Sequence, residues 1–386
     1  MTQTANFDEI RPYNDNEYHE KVAALIQEPA FKQVIATVMP EVEFELFCKK
    51  LLSISTIEEF QIQVIVPFLN KLVQQTTDGL DSNGIENLAN GKNYLFMSNH
   101  RDIVLDASFL CVTLLQHQYS TCEIAIGSNL LIYQWIEDLV RINKSFIVKR
   151  GVGVRQALEA AMQLSAYIHY AINQKHQSVW IAQREGRAKD SNDRTQEALI
   201  KMLTLGKKGN ILDNIRELNI APLAISYEYD PCDSLKAFEF LQKSQNPDFK
   251  KSQRDDLVNM QTGIMGYKGT INYSFTPCIN DELAHLEGEC DRATILQETC
   301  RIIDRHIHLN YRIYPGNYVA YDMLYKCDRF ANQYTSEQKE NFEKYIQGQI
   351  AKLGQFSIED YQFMHEKMLL MYSNPLKNKM EAEGKA

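Results

Sequence analysis

Hydrophobic residues recur at intervals of three and four along the first 85 residues, which is the spacing of an amphipathic helix. Stretches of this kind begin at Val22, Glu43 and Phe60. Prolines interrupt the pattern, and a polar stretch from Thr76 to Gly84 ends it. Residues 1–85 are therefore predicted to form a helical region.

From about residue 90 the pattern changes to short runs of β-forming residues separated by segments of helical spacing. The runs are Tyr94–Ser98, Glu123–Gly127, Phe146–Val148, Val179–Ala182 and Leu218–Tyr227. The helical segments between them are Leu105–Gln116, Asn129–Leu139, Gly153–Asn173 and Thr195–Leu205. Strands that alternate with helices need crossover connections, which favour a mostly parallel sheet flanked by helices. The predicted fold class is therefore α/β.

Further along the chain, proline and glycine mark the limits of the sheet region. Pro222 lies inside an apolar run, which indicates an edge strand or the start of a strand. Another strand-like run begins at Gly269, and helical spacing returns at 293–310, 336–353 and 357–372. The pattern divides the chain into an N-terminal helical region (1–85), an α/β catalytic domain (86–290) and a helical C-terminal extension (291–386).

Composition and charge exclude several classes of protein. The net charge of -9 argues against nucleic acid as a partner, because a general nucleic-acid binder needs a basic footprint. Eight scattered cysteines without a C-x-x-C pair are typical of reduced thiols, not of a disulfide framework or a zinc site. Neither a signal peptide nor an apolar stretch of about 18 residues is apparent. We therefore expect a cytoplasmic protein that contacts a membrane only peripherally.

Two histidines form the pattern His-x-His at His306 and His308, near the end of a helical segment. A metal site needs at least a third ligand, and none follows nearby in the sequence. These histidines are interpreted as surface residues, and no metal is expected.

A histidine and two aspartates lie where a predicted strand ends and a helix begins. The residues from Ser98 read Ser-Asn-His-Arg-Asp-Ile-Val-Leu-Asp, so Asp102 and Asp106 both follow His100. Open α/β sheets place their ligand crevice at this end of the strands. A histidine oriented by a carboxylate can act there as a general base. Alternatively, Asp102 only caps the helix and His100 is an ordinary loop residue.

Two later strand ends carry cations and glycines. The first has Lys149, Arg150 and Gly151, and the second has Arg184, Glu185, Gly186 and Arg187. Glycine and a helix N-terminus let backbone N–H groups approach an anion, and arginine binds phosphate in a bidentate manner. Either cluster alone could be a solvated basic loop. Because parallel strands end at one edge of a sheet, the two together predict a phosphate site.

In this order, the segments resemble the motifs of the glycerophospholipid acyltransferase superfamily, which includes glycerol-3-phosphate and lysophosphatidate acyltransferases. The four family motifs correspond to Asn99-His100 with a following aspartate, Arg150-Gly151, Glu185-Gly186-Arg187 and Ala221-Pro222-Leu223. The resemblance covers roughly residues 90–280, and the first and third motifs are its most specific parts. It implies a glycerol-3-phosphate acyltransferase-like fold.

The sequence departs from the family pattern in two places. The family has four residues between the histidine and the aspartate. Here Leu105 occupies the position of that aspartate, and Asp106 follows with five residues between it and His100. Neither spacing would place the two side chains on the same face of a continuous helix. Their directions around the helix axis would differ by about 140° with four intervening residues and by about 240° with five. A turn before the helix must therefore pair them, and such a turn tolerates one more residue. Asp106 is the expected acid and Asp102 its rival. The third motif reads Gln-Arg-Glu-Gly-Arg instead of the common Phe-Pro-Glu-Gly-Thr-Arg.

The resemblance implies an O-acyltransferase of phospholipid biosynthesis. His100 would take the proton of an acceptor hydroxyl that attacks a thioester, and backbone N–H groups at the start of the next helix would bind the oxyanion. Arg150, Arg184 and Arg187 would hold the phosphate of the acceptor. The rest of the expected substrate site is Asn99, Lys149, Gly151, Glu185 and Gly186.

The resemblance also implies the partners of the reaction. The donor would be acyl-CoA or acyl-carrier protein, each a co-substrate, so no cofactor is expected. The acceptor would be glycerol-phosphate-like, either glycerol-3-phosphate or lysophosphatidate. The expected location is the cytoplasm, with contact to the inner face of the cell membrane.

Two other functions fit the same residues. The chain could be a non-catalytic, phosphate-binding member of the fold, or a phosphosugar-handling α/β enzyme that uses His100 for another reaction. An acid in contact with His100 would argue against the first. An apolar groove beside His100 would argue against the second, which needs a small polar pocket. Leu105–Leu115 and Leu130–Trp135 are the candidate apolar residues for that groove.

Overall fold

A seven-stranded sheet forms the centre of the computed structural model, which describes residues 6–151, 153–288 and 291–385. The strands are β1 (Gly79–Asn83), β2 (Leu95–Ser98), β3 (Glu123–Gly127), β4 (Ser145–Val148), β5 (Val179–Ala182), β6 (Ile220–Tyr227) and β7 (Thr270–Phe275). Their order across the sheet is β1-β7-β6-β2-β5-β3-β4. The five strands from β6 to β4 are parallel, and β7 runs antiparallel to β6. The predicted α/β class with a mostly parallel sheet is confirmed.

Helices cover both faces of this sheet. In the first half of the chain they are α1 (Asp15–Leu25), α2 (Pro29–Val38), α3 (Phe44–Ser53), α4 (Ile57–Phe60), α5 (Val66–Thr76), α6 (Leu105–Gln116), α7 (Gln134–Ile142) and α8 (Val154–Asn173). In the second half they are α9 (Glu197–Leu203), α10 (Ile211–Arg216), α11 (Asp233–Gln245), α12 (Gln253–Met265), α13 (Asn280–Leu283), α14 (Arg292–Leu309), α15 (Pro315–Tyr325), α16 (Ser336–Ala351) and α17 (Ile358–Ala382).

Alternating side chains of the strands enter two different hydrophobic cores. On β2, Leu95 and Met97 belong to the core under α8 and α14, whereas Phe96 belongs to the core under α5 and α6. This alternation follows from the two-residue period of a strand. Because both faces are covered, the parallel strands consist mostly of apolar residues.

The terminal helical regions pack in different ways. Helices α1 to α4 form a separate apolar cluster, which also contains Ile142 of α7. Helix α14 instead packs on the sheet, where Ile303 and Ile307 are fully buried in the same core as β2. Helices α11 and α15 to α17 form a further cluster around Phe342 and Met368. The C-terminal region therefore completes one layer of the α/β fold.

Several elements differ from the sequence prediction. Strand β1 lies before the predicted boundary at residue 85, and it joins the sheet by pairing with β7. Helices α11, α12 and α15 were not predicted. Pro222 is not at an edge, because β6 lies between β2 and β7. Pro222 is tolerated there because the pairing of β6 with β7 begins only at Leu223. The N–H group that proline lacks would point toward β7 just outside this paired region.

The interpretation of His306 and His308 as surface residues was wrong. His308 is buried and its Nε2 lies 2.8 Å from the backbone oxygen of Asp193. His306 is partly buried and pairs with Glu282. Both histidines lie on α14, whose inner face packs on the sheet, so both are held by neighbouring acceptors.

Within the described ranges, the cysteines are free thiols, and neither a membrane-spanning helix nor a metal cluster is present. Seven cysteines there are free thiols, and Cys290 lies outside those ranges. None of the described helices is long and apolar enough to cross a membrane. Among the described residues, no group of three or more histidine, cysteine or acidic side chains is placed to hold a metal ion.

A buried acid connects α11 with the C-terminal helices. The Asp233 carboxylate accepts hydrogen bonds of 2.7 Å from the hydroxyls of Tyr345 and Tyr372. Burial raises the pKa of this carboxyl to about 7, and the two hydroxyls offset only part of that effect. Asp233 therefore ionises in the folded protein only near neutral pH.

We predict that Asp233→Asn changes the pH dependence of stability. The unfolded carboxyl loses its proton near pH 3.9, roughly three units below the folded one, so the wild type loses up to about 4 kcal/mol of stability as the pH rises through this window. Asparagine cannot ionise. Urea denaturation should therefore show the variant gaining stability relative to wild type from about pH 4 to about pH 8. A difference that stays constant across this range would contradict the prediction.

Candidate active site

His100 and Asp106 form a hydrogen-bonded pair at the carboxyl end of β2. His100 lies in the loop after β2, and Asp106 is the second residue of α6. The Nδ1 atom of His100 lies 2.8 Å from Oδ2 of Asp106, whose side chain is fully buried. The ring of His100 packs edge-on against Trp180 at 5.7 Å between centroids. These contacts fix the imidazole and leave Nε2 for a substrate.

The turn before α6 accommodates the five intervening residues. The same Oδ2 atom of Asp106 accepts hydrogen bonds from the backbone N–H groups of Arg101 (2.6 Å) and Asp102 (3.0 Å). The loop therefore wraps around the carboxylate. Because these two N–H groups are engaged, they are not available to an oxyanion, which corrects part of the expectation for the start of the helix.

Asp102 caps α6 and does not contact the histidine. Its Oδ1 accepts hydrogen bonds from the backbone N–H groups of Val104 (2.9 Å) and Leu105 (2.8 Å). Burial and the negative charge of Asp106 raise the pKa of Asp102. Its other oxygen touches α12 so closely that a Cβ atom on Gly263 would lie 1.9 Å away. Asp102 thus has the capping geometry that is typical of a helix start.

A buried ion pair anchors the loop that contains His100. The guanidinium of Arg101 contacts the carboxylate of Asp193 at 2.7 Å, and both side chains are almost completely buried. Asp193 also accepts a hydrogen bond of 2.6 Å from the hydroxyl of Tyr311, which follows α14. On the other side, the buried amine of Lys236 donates to the backbone oxygen of Arg101 at 3.2 Å. The C-terminal half of the chain therefore fixes the backbone beside His100.

A cleft of about 590 Å³ opens next to His100. Helices α8 and α9 supply an apolar part of its lining, which comprises Ala157, Ala160, Ala161, Leu164, Leu199 and Met202. The loops after β4 and β5 supply the charged part, which comprises Lys149, Arg150, Arg184, Glu185, Arg187 and Lys189. We call this space the His100 cleft. It combines an apolar wall with a cationic one.

The predicted groove residues contribute little to this cleft. Leu105, Leu110 and Leu114 of α6 are buried in the hydrophobic core on the far side of the sheet. Leu130 lines the His100 cleft, whereas Trp135 packs against the N-terminal cluster. The apolar wall comes instead from α8 and α9, whose alanines the sequence analysis treated only as a helical pattern.

Two of the cleft arginines have unused hydrogen-bonding capacity. Within the part of the chain that the structure describes, Nε of Arg184 and Nη1 of Arg187 are buried without a hydrogen-bond partner. Nη2 of Arg187 donates to Oδ1 of Asn259 at 3.0 Å, which orients its guanidinium. Arg150 pairs with Glu185 at 2.7 Å. Because both arginines line the His100 cleft, their guanidinium groups can bind an anion there.

A buried carboxylate gathers further cations near the cleft. Lys189, Lys243 and Lys251 surround Glu239, whose side chain is almost fully buried. Burial opposes the ionisation of Glu239, but the hydrogen bonds from the three lysines lower its pKa to about 2. Of these lysines, Lys189 and Lys251 also line the His100 cleft. Glu239 thereby keeps the positive charges of Lys189 and Lys251 in the same cleft as its arginines.

Some predicted site residues lie away from the cleft. The amide of Asn99 is buried and exchanges two hydrogen bonds of 2.8 Å with the backbone of Ile225 on β6, so it joins the loop to the sheet. Gly151 has a positive φ of 69° and is exposed, outside the cleft lining. Gly186 has a φ of 67° and lines the cleft.

Other residues of the site were missed by the sequence analysis. Trp180 lies within an apolar strand, where it reads as core. Lys251, Asp256 and Asn259 are near or on α12, which lies far along the chain from the motifs. Only the fold brings α12 to the cleft, so no local sequence signal could have identified these side chains.

Residues 79–219 match the model of the family described as Acyltransferase. The match confirms the resemblance to glycerophospholipid acyltransferases. It begins at β1 and includes His100, Asp106 and the clusters after β4 and β5.

Among solved structures, the chain is similar to the 1-acyl-sn-glycerophosphate (LPA) acyltransferase PlsC from Thermotoga maritima. The two share 11% sequence identity at a TM-score of 0.34, and the similarity covers 76% of this chain and 96% of that chain. A likeness at this TM-score says nothing about substrate. No curated protein matches the sequence significantly.

We predict that Asp193→Asn destabilises the protein far more than loss of an exposed ion pair does. Breaking one partner of a buried pair costs about 3 kcal/mol or more, because the remaining charge stays buried. The matched control is Asp81→Asn, since Asp81 pairs with Arg312 at the surface and should cost less than about 1 kcal/mol. Urea denaturation of both variants measures the two values. Equal losses would mean that the Arg101 pair does not hold the loop.

Proposed function

We propose that this protein transfers a fatty acyl group from a thioester donor, acyl-CoA or acyl-carrier protein, to a hydroxyl of a glycerol-phosphate-type acceptor. The acceptor is glycerol-3-phosphate or lysophosphatidate, and the product enters phospholipid synthesis. The observation that carries the proposal is the His100–Asp106 pair at a cleft with one apolar and one cationic wall. A fatty acyl chain fits the apolar wall and a phosphate fits the cationic one.

The geometry suits general-base catalysis by His100. An ionised Asp106 accepts from Nδ1–H, which fixes the tautomer with an unprotonated Nε2. Nε2 takes the proton of the acceptor hydroxyl as its oxygen attacks the thioester carbonyl. A tetrahedral intermediate forms, and its collapse expels the thiol of the donor, which receives the proton from the imidazolium. Asp106 stabilises that imidazolium, and such base catalysis contributes about 10²–10⁴ in rate.

The cleft arginines suit the binding of the acceptor. A phosphate in the His100 cleft that contacts the guanidinium groups of Arg184 and Arg187 would hold the hydroxyl near His100. Positioning of this kind makes the attack effectively intramolecular. It also favours phosphate-bearing acceptors over neutral ones.

Two features favour this function over its alternatives. A phosphate-binding module without activity does not need a buried carboxylate that orients a histidine, and Asp106 has this position. A phosphosugar enzyme needs a small polar pocket, whereas α8 and α9 line this cleft with alanine, leucine and methionine.

The direct test is an assay for transfer of radiolabelled palmitoyl. Palmitoyl-CoA and palmitoyl-acyl-carrier protein are offered as donors, each with glycerol-3-phosphate and with lysophosphatidate. Wild type should label one acceptor, and a folded His100→Ala variant should lose nearly all of that activity. If wild type labels neither acceptor from either donor, the proposed function is wrong.

We predict that Asp106→Asn and Asp102→Asn differ in kcat. Asparagine at 106 cannot orient and stabilise the imidazolium, so kcat should fall by about 10²–10⁴. Asparagine at 102 keeps an oxygen for the helix cap, so kcat should stay within about tenfold of wild type. Steady-state kinetics on both folded variants measures the difference. An equal loss of kcat in the two variants would contradict the prediction that Asp106, and not Asp102, orients His100.

We predict that Arg187→Met weakens binding of a phosphate-bearing acceptor. Loss of the charged, oriented guanidinium should raise KM for that acceptor by about tenfold or more with a smaller change in kcat. The control is Arg301→Met, because Arg301 is exposed and pairs with Glu298 on its own helix. Kinetics with glycerol in place of glycerol-3-phosphate completes the test. A KM that rises equally for both acceptors would rule out a phosphate contact.

A further inference from the structure

The two oxygens of the Asp106 carboxylate have unequal surroundings. Oδ2 contacts Nδ1 of His100 and accepts hydrogen bonds from the backbone N–H groups of Arg101 and Asp102. Oδ1 is buried, and within the described ranges it has no hydrogen-bond partner. An ionised carboxylate carries charge on both oxygens, so burial of Oδ1 without a donor is unfavourable. A donor is therefore needed on this side of the carboxylate.

Tyr227 has a buried hydroxyl that also lacks a partner. It is the last residue of β6, and its side chain lies in the same hydrophobic core as Leu105 of α6. Among the described residues, the hydroxyl has no hydrogen-bond partner. Buried hydroxyls in folded proteins are nearly always hydrogen-bonded. Asp106 therefore lacks a donor and Tyr227 lacks an acceptor.

The register of β6 and β7 places Tyr227 beside a second tyrosine that contacts Asp106. Ile225 pairs with Tyr273, and Tyr227 lies two residues farther along β6. The two tyrosines are thus diagonal neighbours on one face of the sheet. The hydroxyl of Tyr273 donates to the backbone oxygen of Asp106 at 2.8 Å. Tyr227 therefore lies next to the residue that holds the start of α6.

The electrostatic surroundings of Tyr227 include Asp106 itself. Burial raises the pKa of the Tyr227 hydroxyl well above its usual value. Tyr273 and the carboxylates of Asp106 and Asp102 raise this pKa further, and the contact of the hydroxyl with the Asp106 side chain adds to the rise. The hydroxyl therefore keeps its proton at neutral pH and has it available to donate.

We propose that Tyr227 donates a hydrogen bond to Oδ1 of Asp106 and is a positioning residue for His100. A hydroxyl proton rotates about the C–O bond, so this hydrogen bond can form without movement of the backbone. With donors at both oxygens, the carboxylate keeps Oδ2 directed at Nδ1 of His100. The catalytic purpose rests on the proposed acyl transfer, whereas the hydrogen bond itself can be tested without turnover.

This hydrogen bond affects the protonation of the histidine. The Tyr227 hydroxyl stabilises the carboxylate most while the imidazole is neutral, because a protonated imidazole already compensates the negative charge. Loss of the hydroxyl therefore favours the protonated imidazole. The other ionisable groups around Asp106 and Asp102 are Arg101 on the loop, Cys111 on α6, Arg187 after β5, Lys268 before β7 and Tyr273 on β7. Phenylalanine at position 227 leaves all of them in place.

The test is an NMR titration of His100 in the histidine-labelled full chain, with the signal assigned by its loss in His100→Ala. In Tyr227→Phe the midpoint of the titration should rise by about half a pH unit or more. The matched control is Tyr18→Phe, since Tyr18 is a buried tyrosine whose hydroxyl donates to the backbone oxygen of Leu51 in the N-terminal cluster. The control should titrate as wild type does.

A midpoint that is unchanged or lower in Tyr227→Phe overturns the proposal. An unchanged midpoint would mean that the Tyr227 hydroxyl donates to the hydroxyl of Tyr273 and not to Asp106.

Steady-state kinetics adds a readout that a purely structural role would not produce. Tyr227→Phe should lower kcat by about tenfold and leave KM for both substrates within about twofold, because Tyr227 does not line the His100 cleft. The acidic limb of its kcat/KM profile should move to higher pH, as the titration does. A raised KM with unchanged kcat would make Tyr227 a substrate contact and overturn the proposal. If wild type transfers no acyl group, the proposed function is wrong, and the titration alone decides the role of Tyr227.

Discussion

One carboxylate oxygen determines the geometry of the candidate site. Oδ2 of Asp106 receives Nδ1 of His100 and the backbone N–H groups of Arg101 and Asp102. These contacts close the turn between β2 and α6 over the additional residue that distinguishes this chain from the family pattern. His100 therefore still pairs with the aspartate at this longer spacing, because the turn before α6 accommodates the additional residue.

Parts of the chain that are distant in sequence hold this turn in place. Asn99 joins it to β6, Asp193 neutralises Arg101, and Lys236 of α11 binds the backbone oxygen of Arg101. Tyr311, which follows α14, binds Asp193 in turn. The C-terminal region thus supports the site through Tyr311, which does not itself line the His100 cleft. A rigid support of this kind preserves the orientation of a catalytic group.

The sequence predicts the elements whose own residues determine them. Helix α6 was predicted at Leu105–Gln116 and is found there, because its apolar residues need burial on the sheet. Strand β1 was missed, since Gly-Leu-Asp-Ser-Asn has little β propensity and is a strand only through pairing with β7. The pairing of His100 with Asp106 was expected from the family resemblance. The contacts of Asn259 and Gly263 with Arg187 and Asp102 were not, because they depend on the tertiary position of α12.

The central claim is that Asp106 holds His100 in the tautomer of a general base. Nitrogen-15 NMR of histidine-labelled protein measures this directly, because protonated and unprotonated ring nitrogens have different chemical shifts. At a pH where the ring is neutral, His100 should carry its proton on Nδ1 and have an unprotonated Nε2, and Asp106→Asn should disturb this state. A neutral His100 protonated on Nε2, or a spectrum that Asp106→Asn leaves unchanged, would contradict the account.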